Sequence, residues 1–255
     1  MKKIFYKYLP PERDTYFSDS LLRFTPPSDL NDPYEALPGI SDELLDKVLS
    51  IAKLPFLQPP EDLKALERDP SLFIEPFLRK GMAKIDSALG ILSLSEFWNN
   101  PLMWSHYAAS HQGFCVGFDS EHQYFEFNEH QSTYHDMTVL PVNYSNQRFM
   151  LTSKRMDKKD VFNSLCTKST DWTYEGEIRM ISSLIKADKT ITKEPYNIAL
   201  FRVPHDSITE LTIGLRSSSE LEKKARLLAC DLSVPLFRTA VSRNTFDLDR
   251  ILLNG

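Results

Sequence analysis

The chain has 255 residues, 42% hydrophobic and 25% charged, the composition of a globular protein long enough to bury a sizeable core. With 35 acidic against 30 basic residues its formal charge is -5, which excludes bulk attraction to nucleic acid or anionic lipid, so any phosphate recognition must be local. The start, Met1-Lys2-Lys3-Ile4-Phe5-Tyr6-Lys7, lacks the apolar run of a signal peptide, and nowhere do 18 apolar residues occur together; no membrane span and a cytoplasmic location are expected.

In chain order, Ile4 to Leu9 reads as a strand rich in aromatic and β-branched residues, stopped by Pro10-Pro11. A short helix through Tyr16-Phe17 and a strand from Leu21 to Phe24 follow. In Asn31-Asp32-Pro33-Tyr34-Glu35, Asp32 is placed to cap a one-turn helix with Pro33 first and Glu35 as the returning carboxylate. Residues 41–89 carry helical spacing at Leu44, Leu45, Val48 and Leu49, and again at Phe73, Phe77 and Leu78, broken by prolines; they are expected to form a helical insert or flap. Ile91 to Ser95 and Phe114 to Phe118 read as core strands flanking a helix from about Leu102 to His111. Strand character returns at 138–144 and 178–185, with a helix at 160–167 between them. Toward the end, strands at 198–203 and 211–213 precede a helix beginning near Ser219, with Ser219 and Glu222 at capping-box spacing and Leu221, Ala225, Leu228 and Leu232 in one stripe. A last strand at 236–241 makes this a β-α-β unit. The expectation is one α+β domain over 1–255, a mixed or split sheet flanked by helices with the 41–89 insert. Cys115, Cys166 and Cys230 form no C-x-x-C pair and sit in apolar contexts; all three are expected to be buried thiols rather than disulfides or a zinc knuckle.

Three constellations carry chemistry. Met103-Trp104-Ser105-His106-Tyr107 continuing to His111 offers two histidines, but at 100° per residue these lie about 140° apart on a helix, unlike a same-face zinc pair; no metal site is expected. On that wheel Trp104, Tyr107 and Ala108 share a face, which should bury Trp104 as the helix anchor. In Tyr174-Glu175-Gly176-Glu177-Ile178-Arg179-Met180, an extended backbone would project Glu175, Glu177 and Arg179 from one face and Ile178 and Met180 from the other. Two carboxylates beside a guanidinium suit hydrogen bonding to sugar hydroxyls or stabilising a developing cation; the bland alternative is a solvated face with an exposed ion pair. Ile213-Gly214-Leu215-Arg216-Ser217-Ser218-Ser219 precedes a helix and could hold an anion, although serines there are more often caps. Lys154-Arg155-Met156-Asp157-Lys158-Lys159 reads as a solvated loop.

Tyr6-Lys7-Tyr8, the Asn31 to Glu35 turn, Met103 to Tyr107 with His111-Gln112-Gly113-Phe114, and Trp172 to Arg179 together resemble the bacterial domain-of-unknown-function family 2971 (DUF2971), in order from the N-terminus to about residue 185. That resemblance supports these motifs as the site without naming a reaction; the candidates taken from them are Tyr6, Lys7, Asn31, Trp104, Tyr107 and Arg179 for ligand binding and Glu177, Glu175, His106 and His111 for catalysis. A weaker similarity is to ADP-ribosyltransferases, in which an early-strand aromatic or basic residue and a later Glu/Gln-x-Glu border a split sheet that holds NAD; here Tyr6-Lys7-Tyr8 and Glu175-Gly176-Glu177 correspond, while a Ser-Thr-Ser strand motif is absent. It implies NAD as a substrate, with Glu177 stabilising an oxocarbenium-like transition state and Glu175 serving the acceptor. No resident cofactor and no macromolecular acceptor are identified. Three classes stay open: a nucleotide-sugar or NAD-cleaving enzyme, a non-enzymatic binding or regulatory module of a phage-defence or toxin-antitoxin system, and a metal-independent nuclease using His106 or His111 with Arg179.

Overall fold

The computed structural model describes residues 3–52, 70–126, 137–152, 156–194 and 197–253. It is an α+β fold whose backbone clusters into two compact units, one of residues 1–25, 90–142 and 171–255, the other of residues 26–89 and 143–170.

The first unit is built on an eight-stranded mixed sheet. From edge to edge its strands are Leu248–Leu252, Leu236–Val241, Ile208–Ile213, Phe114–Asp119, Ile4–Leu9, Leu89–Ser95, Glu177–Ser183 and Thr138–Pro141. The first strand lies centrally, antiparallel to Phe114–Asp119 with Tyr6 opposite Gly117 and Tyr8 opposite Cys115. Because side chains alternate along a strand, its Phe5 and Leu9 enter a core with Leu92, Phe114, Val116, Ile178, Met180 and Ile213. Tyr6 and Tyr8 enter a second cluster with Met103, Trp104 and Ala108 on the opposite face. Both faces are thus covered, which explains why this strand is apolar or aromatic at nearly every position. Gly117 has to be small: a Cβ there would stand 2.7 Å from the Glu210 side chain and 3.2 Å from the Tyr6 ring.

Ile208–Ile213 and Leu236–Val241 run parallel, joined by the Ser219–Leu232 helix, so the β-α-β unit read from the sequence is present. Its Leu221, Ala225 and Leu228 are buried, each leucine contributing about 1.5–3 kcal/mol by leaving water. The cap is Ser218, whose hydroxyl accepts from Leu221 N at 3.1 Å; Ser219 is already helical, and Glu222 instead holds Arg226 and Arg238. A three-stranded sheet of Lys189–Ile191, Ile198–Arg202 and Leu21–Phe24 completes this unit.

The second unit contains the Asp42–Ala52, Pro70–Ala88 and Lys158–Leu165 helices and two short parallel pairings, Gly39–Ile40 with Met150–Leu151 and Asn143–Tyr144 with Thr167–Lys168. Most of the expected 41–89 insert falls here as helix, and residues 53–69 of it lie outside the described residues, as do the side chains of Val48, Phe73 and Phe77. The Lys158–Leu165 helix starts with a capping box, Asp157 and Asp160 each bonding the other's backbone N–H, which shifts it two residues ahead of the 160–167 expectation. Lys154 and Arg155 lie outside the described residues.

Asn31 to Glu35 does not form the expected helical turn. Asp32 Oδ1 accepts from Tyr34 N at 2.9 Å, an Asx turn that satisfies the backbone locally, and Ala36 then takes a left-handed φ of 54° that a helix forbids. Cys230 also departs from expectation: it is exposed, while Cys115 and Cys166 are buried. It falls outside the apolar stripe of its helix, a phase the hydrophobic context of neighbouring residues conceals. Among the described residues no helix is long and apolar enough to cross a membrane.

Candidate active site

The Glu175 segment is not extended along its whole length. Thr170–Glu175 is a 3-10 turn, Gly176 takes a φ of 50°, and the strand begins only at Glu177. The reason is tertiary. Ser95 Oγ donates to Glu175 O at 2.5 Å, Glu96 N donates to Gly176 O at 2.9 Å, and Asn100 Nδ2 donates to Tyr174 O at 3.0 Å. Asn100 also caps the Pro101–Tyr107 helix by accepting from Leu102 N and Met103 N, so one side chain fixes both the helix start and the turn. A Cβ on Gly176 would lie 2.5 Å from the Phe97 ring; both its φ and its contact demand glycine.

The strand does alternate as read: Ile178 and Met180 join the apolar core, while Glu177 and Arg179 take the other face. That face is not solvated. Arg179 is 0% and Glu177 5% exposed, and the guanidinium grips the carboxylate through Nε to Oε1 and Nη2 to Oε2, both at 2.9 Å. The exposed surface pair of the bland reading is therefore replaced by a buried, bidentate one, a geometry that offsets part of the cost of taking two charges out of water. Glu175, also buried, accepts from Tyr107 Oη at 2.6 Å. Lys7 donates to Ser93 O at 2.9 Å. Burial pulls its amine down to about 8, against the opposing fields of Glu177 and, more weakly, Glu175, while Arg13 adds to the lowering. Tyr107 with Glu175 and Arg179 with Glu177 are thus two buried contacts, while Lys7 projects with Phe5 and Leu9 from the opposite face of the sheet and feels the two carboxylates only through their fields.

Trp104 is fully buried, its indole N–H donating to Trp98 O at 2.7 Å, and Tyr8 meets it edge-on at 5.3 Å. Its helix ends at Tyr107, short of the expected His111, because Ala109, Ser110 and His111 all have positive φ; the 140° separation of the two histidines is not realised on a helix. His111 folds back to stack on Trp104 with ring centroids 6.3 Å apart, beside Ser105 Oγ at 3.4 Å. Burial, then Arg216, lowers its pKa. His106 is exposed and lies 6.4 Å from the Tyr174 ring. It is the helix's tyrosine that reaches Glu175. Arg216 N and Gly214 N donate to His111 O and Gly113 O at 3.0 and 2.9 Å, so the Gly214–Ser217 loop is tied to the His111 turn.

Tyr6 belongs to a different network. Glu210 accepts its hydroxyl, and burial together with that carboxylate raises the phenol's pKa. Glu210 is in turn held by Arg250, whose guanidinium lies 4.5 Å from the Trp98 ring and 4.0 Å from that of Phe237. Asn31 lies in the other unit. There a cavity of about 220 Å³ is lined by Asp32, Tyr34 and Glu35 of the Asn31 to Glu35 turn together with residues, among them Arg148, Ser164 and Lys168, that carry no motif in the sequence. Among them Glu35 and Lys168 form a buried ion pair at 2.6 Å. Glu35 thus does not return to cap the turn. Arg148 donates to Leu37 O and Pro38 O. The only sequence signal for this pair is the isolation of Lys168 in the apolar Leu165-Cys166-Thr167 context. Among the described residues no three His, Cys, Asp or Glu side chains gather as a metal site.

This architecture is that of an α+β protein in which a helix tyrosine meets a buried carboxylate next to a strand with a buried ion pair. Residues 103–180, which carry Trp104, Tyr107, Glu175, Glu177 and Arg179, match the model of a family described as a protein of unknown function, DUF2971. No curated protein and no solved structure matches the chain.

Proposed function

We propose that the first unit is an enzyme that cleaves an N-glycosidic bond of a nucleotide such as NAD, with Glu175 as the working carboxylate. The observation that carries this reading is the 2.6 Å bond from Tyr107 Oη to the buried Glu175 Oε1. Glu177, the carboxylate favoured by the strand pattern, has both oxygens on Arg179, which suits it to supporting the cluster rather than to meeting a developing cation. In the reaction the ribose C1′–N bond breaks and the leaving base takes its electron pair. Glu175 stabilises the oxocarbenium-like centre, and an acceptor hydroxyl or water adds to C1′ and passes its proton to that carboxylate. Tyr107 orients Glu175.

The test is incubation of the full chain with nicotinamide-labelled NAD, with and without cell extract, following release of nicotinamide. Turnover by wild type that falls about 10²-fold or more in Glu175→Gln supports the assignment; turnover unaffected by that change removes it. The second reading, a non-enzymatic binding module in a phage-defence or toxin-antitoxin setting, is favoured by the burial of all three charged residues, Glu175, Glu177 and Arg179, and gains if no turnover of NAD or other nucleotides is found.

A further inference from the structure

We infer that the cavity of the second unit is a binding site for an uncharged sugar ring, either a free monosaccharide or the ribose of a nucleoside. The cavity, of about 220 Å³, is sized for one ring system or a nucleoside, not for a dinucleotide. Its lining joins an aromatic surface to paired charges and hydroxyls. Tyr34 presents a largely exposed ring whose partner is the Arg148 guanidinium, 5.6 Å from the ring centroid; sugar C–H faces and bases both pack on such a surface. Asp32 and Glu35 place carboxylates at the same wall, one oxygen of each engaged by Tyr34 N and by Lys168, and a carboxylate has lone pairs for more than one donor.

Two further observations point to a ligand and to its charge. Ser164 is 3% exposed, lines the cavity, and its Oγ has no hydrogen-bond partner among the described residues. A buried hydroxyl left in that state costs about 1–3 kcal/mol, a cost that a ligand hydroxyl would remove. The cations at the wall are already engaged: Lys168 with Glu35 at 2.6 Å, and Arg148 with Leu37 O at 2.7 Å and Pro38 O at 2.9 Å. Two carboxylates against two engaged cations leave no surplus positive charge to favour a phosphate, so the preferred ligand is neutral. The inference is independent of the chemistry proposed for Glu175.

The experiment is saturation-transfer NMR and calorimetry of the full chain with ribose, adenosine and AMP, each to about 10 mM, a range that detects affinities near the millimolar level. Expected are binding of adenosine, of ribose or of both, about fivefold weaker in Ser164→Ala, the loss of one neutral hydrogen bond, with a melting temperature of the free protein that does not fall and rises if the unpartnered hydroxyl carries its full cost. Binding should also be at least several-fold weaker in Tyr34→Ala, an exposed position that does not threaten folding. Adenosine alone binding assigns the ribose of a nucleoside; ribose binding comparably assigns a free sugar. The inference is overturned if neither neutral ligand binds, if AMP binds more than about tenfold tighter than adenosine, or if the Ser164 and Tyr34 variants bind as wild type. The Glu175→Gln variant should bind these ligands normally, which separates failure here from failure of the proposed activity.

Discussion

Among the described residues each unit encloses one fully buried ion pair, and the two pairs are built to different ends. Glu177 and Arg179 meet through two parallel bonds, with the arginine fully buried. Lys168 Nζ meets Glu35 Oε1 at 2.6 Å, and both residues line a cavity. A bidentate guanidinium pair is directional and fixes the strand that carries it, whereas an ammonium is a point charge that tolerates several partners. Burial alone therefore does not mark a functional charge; what surrounds the pair does. The first pair braces the strand that follows Glu175, and the second forms part of the wall of a cavity.

The sharpest way to break this comparison is to remove one cation from each pair. Arg179→Met leaves Glu177 buried and uncompensated and should cost about 3–5 kcal/mol. Lys168→Met should cost less, about 1–3 kcal/mol, because Glu35 borders a cavity that water can enter. Equal losses in urea denaturation would erase the distinction drawn between the two pairs. Glu177→Gln is expected to lower stability as well, since it strips the charge from a bidentate partner; the strand pattern alone suggests almost no effect.

Trp104→Ala tests the packing beneath the first site and should cost about 3–5 kcal/mol, the usual aromatic-to-alanine cavity cost. An unchanged denaturation midpoint would mean that the site does not rest on this anchor. Tyr107→Phe removes only the hydroxyl bonded to Glu175 and should cost about 1.5 kcal/mol, the low end for a hydrogen bond to a charged group; a neutral result would weaken the case that Tyr107 orients that carboxylate.

A further test lies in pH dependence. The Lys7 amine is pulled down from its ordinary value of 10.5 to about 8 by burial, with Arg13 on the same side and Glu177, Cys115 and Glu175 opposing. Because the folded pKa lies below the unfolded one, the unfolded chain holds the extra proton between about pH 8 and 10.5. The penalty of burying the charged amine is therefore present below pH 8 and fades as pH rises through that window. Stability of wild type relative to Lys7→Met should increase from pH 8 toward 10. Taking the difference cancels the raised Cys115 thiol and Tyr6 phenol, which act with the opposite sign in alkali. A flat difference would show that Lys7 is better solvated than its surroundings suggest.

Local chemistry was legible wherever the chain needs no distant partner. The strand Ile4–Leu9 ends where Pro10 removes a donor, and Leu236–Val241 and the parallel β-α-β unit follow from β-branched runs and one helical stripe. The stripe Leu221, Ala225 and Leu228 is buried as its period requires. Caps were less legible: Ser218 and Ser219 carry the same side chain, and only the register of the helix chooses between them.

By itself, then, the sequence determined the α+β class, the alternating faces of the Glu177–Ser183 strand and the burial of Trp104, because propensity and periodicity are properties of neighbours along the chain. Tertiary structure alone decided which polar groups meet. Tyr107 reaches Glu175 across 68 residues and Glu35 is held by Lys168. Tyr6 goes to Glu210 rather than to the Glu175 cluster, and the Pro101–Tyr107 helix stops before His111 where three left-handed residues fold that histidine onto Trp104. Such pairings depend on strand order and on the desolvation that makes a partner obligatory, and neither is written in the spacing of residues along one segment.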